Sequence, residues 1–314
     1  DRRQITPNAQ ADATVEAAYE IGIRYFDTSP WYGNGKSEHR LGHTLQEKPL
    51  GSFAISTKIG RLFHRPRDLE ALRPRLRGNE FAFDYHCDYT SSGVLRSYED
   101  SLQRLGMPRV DALLIHDLDR LHFPTEEALL ARFAELEEGG GYAALRELKE
   151  TGEIKAIGVG INRTGMIPMF LERFEIDFFL VAMPYTLLDQ HALEEELPLC
   201  ARHGADVVIG AVFSSGILTD HPETPRDYGY QPAPEPVLQK AARIREVCRR
   251  HDVPLPAAAL QFPLAHPCVV SVIPGAVSPE QVRQNVEHLR TPIPADLWAE
   301  LKAEGLLHPE APTP

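Results

Sequence analysis

The sequence predicts an α/β protein of the (β/α)8 barrel class, and three observations predict it. Short β-branched or apolar runs alternate with helix-period segments along nearly the whole chain, the pattern of a parallel sheet covered by helices. Several of these runs are continuously apolar, as expected of strands buried on both faces. The number of strand-helix units comes close to eight.

Taken in order, strands are predicted at 23–27, 53–57, 112–116, 156–160, 178–181, 206–211 and 269–273. Amphipathic helices are predicted at 37–46, 93–105, 142–151, 188–203, 236–252 and 279–289, by apolar spacing near 3.6 residues. A further helical segment, 11–21, precedes the first predicted strand. A barrel of eight units therefore has its first strand missing from the sequence shown; an open doubly wound sheet is the alternative. Residues 290–314, rich in proline, read as a surface helix and a tail of one single domain covering 1–314. The long connections 60–79 and 118–140 read as loops at the mouth of the site.

Composition narrows the function classes. The chain has 314 residues, 43% hydrophobic and 25% charged, with a formal net charge of −12. No basic stripe offers itself to a nucleic acid. Acidic runs such as Glu135–Glu138 (Glu-Leu-Glu-Glu) and Glu194-Glu195-Glu196 read as solvated helix faces. No apolar run approaches the roughly 20 residues a membrane helix needs, and no apolar signal region follows Asp1-Arg2-Arg3-Gln4. The four cysteines are far apart and read as reduced thiols. These features lead us to expect a soluble, cytoplasmic protein with no nucleic-acid or membrane partner; oligomeric state is left open.

In a parallel barrel the reacting groups project from the C-terminal ends of the strands. Asp27 ends the first predicted strand and Tyr32 follows it; Lys58 and His116 stand at or just past the ends of the next two. Each alone is unremarkable, but four chemically complementary groups at consecutive strand ends point to one site. A phenol titrates near ~10 unless its anion is stabilised, and a neighbouring ammonium provides that stabilisation. Asp27 would keep Lys58 charged and aimed, His116 would orient a substrate oxygen, and Tyr32 would exchange the proton.

At these residues the sequence resembles the aldo-keto reductase superfamily. The matching stretches are Gly22-Ile23-Arg24-Tyr25-Phe26-Asp27-Thr28 through Trp31-Tyr32-Gly33, Ser37-Glu38 with Leu41-Gly42, Ser56-Thr57-Lys58, and Leu114-Ile115-His116, then the 152–160 segment and Ile273-Pro274-Gly275. The resemblance implies a nicotinamide cofactor across the C-terminal mouth and a tetrad of Asp27, Tyr32, Lys58 and His116. It is closest to the branch containing L-fucose and D-threo-aldose 1-dehydrogenases and pyridoxal 4-dehydrogenase. By that likeness Asn162 holds the nicotinamide carboxamide. Ala182 stands where many relatives have a glutamine, and Phe213 substitutes for a ring-stacking tyrosine. Ser214, Gly216, Leu218, Ile273, Gly275, Gln281 and Asn285 complete the cofactor set. Relatives that use NADP resemble one another in a lysine and an arginine where Gly275 and Gln281 stand here, so the resemblance implies NAD over NADP.

The substrate is expected to be a small sugar or aldehyde. Trp31 would wall the pocket, with Phe63 and His64 closing over it. Asp88, Tyr89 and Asp119, on nearby loops, tilt the expectation toward an aldose such as L-fucose or D-arabinose, oxidised to a lactone, over pyridoxal. The alternatives are a general NADPH-dependent aldehyde reductase and, more distantly, a nicotinamide-sensing regulatory subunit. Gly158-Val159-Gly160 lacks the third glycine of a dinucleotide fingerprint, since Arg163 stands there. His116-Asp117-Leu118-Asp119 hints at a metal, but the later strand ends supply no further ligands, so no metal is expected.

Overall fold

The structure, a computed structural model, describes residues 5–76, 80–182, 184–219, 227–229 and 231–314. It divides into two compact units, Asp1–Gly160 with Ala276–Val282, and Ile161–Gly275 with Arg283–Pro314.

The first unit runs α1 (Asn8–Glu20), β1 (Tyr25–Asp27), α2 (Lys36–Leu45), β2 (Ala54–Ile59), β3 (Arg61–His64), α3 (Leu69–Leu72), β4 (Asp84–Cys87), α4 (Ser91–Leu105), β5 (Ala112–His116), α5 (Glu126–Glu137), α6 (Gly141–Glu150) and β6 (Ala156–Ile161). Its strands β1, β2, β5 and β6 lie side by side in that order, every pairing parallel. All five residues of β5 are buried, which accounts for the unbroken apolar run in the sequence. Helix ends follow local chemistry. Thr90 accepts the Gly93 N–H at the start of α4, and left-handed Gly106 (φ 63°) ends it.

The second unit runs α7 (Met166–Leu171), β7 (Phe178–Ala182), α8 (Glu196–His203), β8 (Asp206–Gly210), a short β9–β10 hairpin (Asp227–Tyr228 and Gln231–Pro232), α9 (Glu235–Arg250), α10 (Leu255–Gln261), β11 (Val269–Ile273), α11 (Pro279–Arg290) and α12 (Ala295–Ala303). Here β7, β8 and β11 are neighbours in that order, again parallel. Seven parallel strands with helical crossovers are the pattern the sequence predicts.

Several expectations need correction. The connection from Gly60 is no simple loop: β3 pairs antiparallel with β4, Phe63 opposite Tyr85 and His64 opposite Asp84. Residues 77–79 of that connection lie outside those described. The 118–140 stretch contains α5, capped by Thr125 and burying Leu129, Phe133 and Leu136 on one face. The predicted helix at 188–203 is helical in α8 only, preceded by a single 3₁₀ turn at His191–Leu193. Thr186 Oγ1 there accepts the Leu188 and Asp189 N–H groups, and Asp189 Oδ1 accepts that of His191, so side chains take the place of helical carbonyls. The acidic runs are not wholly solvated, since Glu196 is buried and accepts the Gly165 N–H at 2.8 Å. Burial raises the Glu196 carboxyl above its ordinary value, against the hydrogen bonds it accepts. The C-terminal α12 is only partly a surface helix: Leu297, Trp298 and Leu301 are buried.

Candidate active site

Three strands of the first unit bring the predicted tetrad together. β1 delivers Asp27, β2 delivers Lys58 and β5 delivers His116, while Tyr32 lies in the turn before α2. The Lys58 Nζ donates to Asp27 Oδ2 and to the Thr28 carbonyl, each at 2.6 Å, and is 1% exposed. Its ammonium stands 4.9 Å from the centre of the Tyr32 ring. Asp27 is fixed on its other side by Ser56, whose hydroxyl donates to Oδ1 at 2.6 Å. Tyr25 extends the chain, its hydroxyl 3.0 Å from Ser56 Oγ. Burial and the neighbouring Asp27 push the Tyr25 phenol up to about 12, so it stays protonated. The Tyr32 and His116 rings meet edge to face at 5.8 Å. Tyr32 is 37% exposed while Lys58 and His116 are buried, so the phenol is the most open of the three.

The sequence reading missed the groups around His116. Arg61, the first residue of β3, places Nη1 3.1 Å from His116 Nδ1 and Nη2 3.0 Å from Asp117 Oδ2. Ser29 Oγ is also 3.1 Å from Nδ1. Two left-handed residues make the approach possible. Gly60 (φ 109°) turns the chain from β2 into β3, and a Cβ there would lie 2.2 Å from the Tyr89 ring. Asp117 (φ 50°) turns its carboxylate back toward Arg61. The available signal was an arginine three residues past the lysine, separated by a glycine.

The predicted substrate residues fall near this network. Trp31 packs edge-on against Tyr85 at 4.5 Å and carries the Arg61 guanidinium 4.8 Å from its ring centre. Phe63 and exposed His64 lie on β3; Phe63 is 6.3 Å from Phe83, and His64 is 5.6 Å from His86. The polar groups taken to favour an aldose are engaged within the protein, which corrects that argument. Asp88 Oδ1 accepts from the backbone and hydroxyl of Thr90. Tyr89 is fully enclosed and donates to the His116 carbonyl at 2.7 Å. Asp119 Oδ1 accepts the Leu121 and His122 N–H groups. Asp117, Asp119 and His122 do bring potential metal-ligand atoms within 4.8 Å of one another. Their carboxylates already serve Arg61 and the turn, and a guanidinium is a poor neighbour for a second cation.

Most of the predicted cofactor residues lie in the second unit. Asn162, just past β6, is buried. The segment after β8 passes through left-handed Ala211, Ser214, Ser215 and Gly216, a concentration of backbone strain typical of ligand-binding turns. Phe213 precedes this turn. Ser214 is buried with its hydroxyl 3.4 Å from that of Thr186. Leu218 is core, its N–H donated to the Phe213 carbonyl. Ile273 ends β11, Gly275 follows in the open, and Asn285 lies on α11. Gln281, on the first turn of α11, whose residues through Val282 belong to the first unit, accepts the Val277 N–H on Oε1 at 2.9 Å.

Parallel strands with helical crossovers and an Asp-Lys pair beneath an exposed tyrosine define a barrel oxidoreductase. The aldo/keto reductase family model matches residues 2–304, and the chain belongs to that family. It is 41% identical over 307 residues to pyridoxal 4-dehydrogenase of Microbacterium luteolum, covering 95% of this chain and 89% of that protein. It is 39% identical over 314 residues to D-threo-aldose 1-dehydrogenase of a Pseudomonas species, covering 97% and 89%. Among solved structures it is similar to the holo form of an aldo-keto reductase from Bacillus halodurans, with TM-score 0.74, 25% identity, and coverage of 98% and 90%. The fold is thus the (β/α)8 barrel of this family, and the protein is an NAD(P)-dependent oxidoreductase. No described helix is long and apolar enough to cross a membrane.

Proposed function

We propose that the protein oxidises a cyclic hemiacetal to a lactone, with NAD accepting the hydride. The observation that carries this reading is the Lys58 ammonium, fixed by Asp27 and Thr28 and set over the ring of exposed Tyr32. A charge held there stabilises the phenolate, the form that takes a proton. Tyr32 removes the hydroxyl proton of the hemiacetal, the carbon loses its hydride, and the C–O bond becomes the lactone carbonyl. His116 holds that oxygen as it changes. The bound nicotinamide supplies the hydride acceptor.

The residues present fit such a cofactor. The left-handed turn at 211–216 offers backbone groups, Asn162 offers a buried amide, and neutral Gly275 and Gln281 suit an adenosine ribose without a 2′-phosphate. Aldoses and pyridoxal both close to cyclic hemiacetals, so the names of the two relatives agree with this chemistry. Between them, the engagement of Asp88, Tyr89 and Asp119 by protein groups favours a flat aromatic substrate against Trp31 and Tyr85. Initial rates with pyridoxal, L-fucose, D-arabinose and L-galactose, each with NAD and NADP, test this. A lactone formed with one NADH per turnover is expected, with pyridoxal preferred. Aldehyde reduction with no oxidation of any hemiacetal would overturn it.

A further inference from the structure

The arginine beneath Trp31 is an unusual residue to find buried. Arg61 is 4% exposed, and its Nε has no hydrogen-bond partner among the described residues. Burial works against its charge, but Asp117 together with the smaller contributions of Tyr89, Cys87 and Tyr85 outweighs it, and the guanidinium is raised above its ordinary value. Such a pair is weak support for stability, because desolvation offsets much of its attraction. Its placement instead bears on the imidazole it touches.

A guanidinium has only donors. Nη1 at 3.1 Å from His116 Nδ1 therefore requires an unprotonated Nδ1, with the Ser29 hydroxyl at the same distance able to donate to it as well. A second proton on the ring would point N–H at N–H beside a fixed positive charge. The ring's one hydrogen is then on Nε2, which lies 3.4 Å from Asp117 Oδ2. Other titratable groups nearby include Tyr32, ring to ring at 5.8 Å, Lys58 behind it, Tyr89, which donates to the His116 carbonyl, Cys87 and Tyr85 around Arg61, and His122, 3.5 Å from the same Asp117 oxygen and 3.1 Å from Asp119. We propose that Arg61 is a positioning residue for the dehydrogenation, holding His116 as a neutral imidazole whose hydrogen sits on Nε2. The ring then donates to the substrate oxygen without carrying a charge that would oppose hydride loss from the adjacent carbon. The catalytic part of this inference rests on the proposed function; the state of the ring does not.

Ring-15N-labelled histidine lets NMR read the state directly, with His116 signals assigned by their loss in His116→Gln. Wild type at pH 7 should show a neutral ring protonated on Nε2, with or without NAD. A ring protonated on Nδ1, or on both nitrogens, overturns the proposal, and this arm needs no altered Arg61. Arg61→Met leaves Asp117 uncompensated beside the ring; we expect a doubly protonated His116 and a fall in kcat of about 10-fold or more, with the KM for NAD unchanged. Arg61→Lys keeps a donor-only cation and should restore the wild-type ring pattern and part of kcat. Arg61→Met with the wild-type ring pattern overturns the proposal; if that variant does not fold, wild type and Arg61→Lys decide it. Because the ring is read without substrate, a protein that oxidises no hemiacetal defeats the proposed function and not this assignment.

Discussion

Tyr32 is the residue on which the proposed chemistry turns, and its neighbours show why a phenol can serve there. Lys58 is anchored twice, by Asp27 and by the Thr28 carbonyl, so its charge cannot swing away. Removing the Tyr32 hydroxyl leaves that anchoring intact. Tyr32→Phe should therefore lower kcat by about 10²–10⁴-fold, with NAD binding, followed by fluorescence titration, close to wild type. Retention of more than about a tenth of wild-type kcat at saturating substrate would show that another group carries the proton. Asp27, Lys58 and His116 were legible because each stands at a strand end, a position sequence patterning can locate. Arg61 was not legible in that way. Its role depends on a left-handed glycine that turns the chain and on an antiparallel pairing across more than twenty residues. Asp88, Tyr89 and Asp119 illustrate the converse: polar residues placed near the site by sequence whose partners, invisible there, prove to be the protein's own backbone and side chains.

Among the elements, the pairing of α2 with α4 explains why one family stretch has its particular residues. Glu38 on α2 is wholly buried, accepts from Thr57 at 2.6 Å and is paired with Arg104 of α4 at 2.5 Å. This ties two helices to the strand that carries Lys58. The helices approach closely at Gly42, where a Cβ would lie 2.1 Å from the Leu105 carbonyl oxygen. Gly42→Ala must push backbone from backbone and loosen the buried pair. Overpacking costs about 1–3 kcal/mol, and a broken buried ion pair about 3–5. Urea unfolding should accordingly show a loss of at least about 2 kcal/mol; a loss under about 0.5 kcal/mol would mean that the helices can slide at no cost. The parallel strands and most of the long helices are readable from periodicity to within a residue or two, as in β5 and α9, whereas the helix expected over 188–203 is α-helical only from Glu196 and the one expected at 11–21 begins at Asn8. The short β3–β4 pairing was missed because four residues give too little pattern. Helix α5 was missed because its capping Thr125 lies inside a connection that looked like loop.

For the whole molecule, the outstanding choice is between NAD and NADP, and the residue that bears on it is a glycine. The family resemblance puts position 275 beside the ribose 2′-oxygen, where relatives using NADP have a lysine. Apart from its chain neighbours, no atom of the described residues lies within 4 Å of where a Cβ at Gly275 would stand. A Cβ can therefore be introduced there without meeting a described neighbour. Gln281 is less suitable for engineering, because its Oε1 accepts the Val277 N–H. The wild-type protein should show a higher kcat/KM with NAD, since a dianionic 2′-phosphate finds no charge-assisted partner at either position. Gly275→Lys should raise kcat/KM for NADP by about 10-fold or more, the equivalent of one charged hydrogen bond of about 1.5–3 kcal/mol. The gain should shrink as salt is added, because an exposed ion pair is screened, and kcat/KM for NAD should stay within about twofold. A wild-type preference for NADP would overturn the cofactor assignment itself. A Gly275→Lys protein with no gain for NADP would show that the 2′-phosphate is met elsewhere, with Arg283 on the exposed side of α11 the first residue to replace.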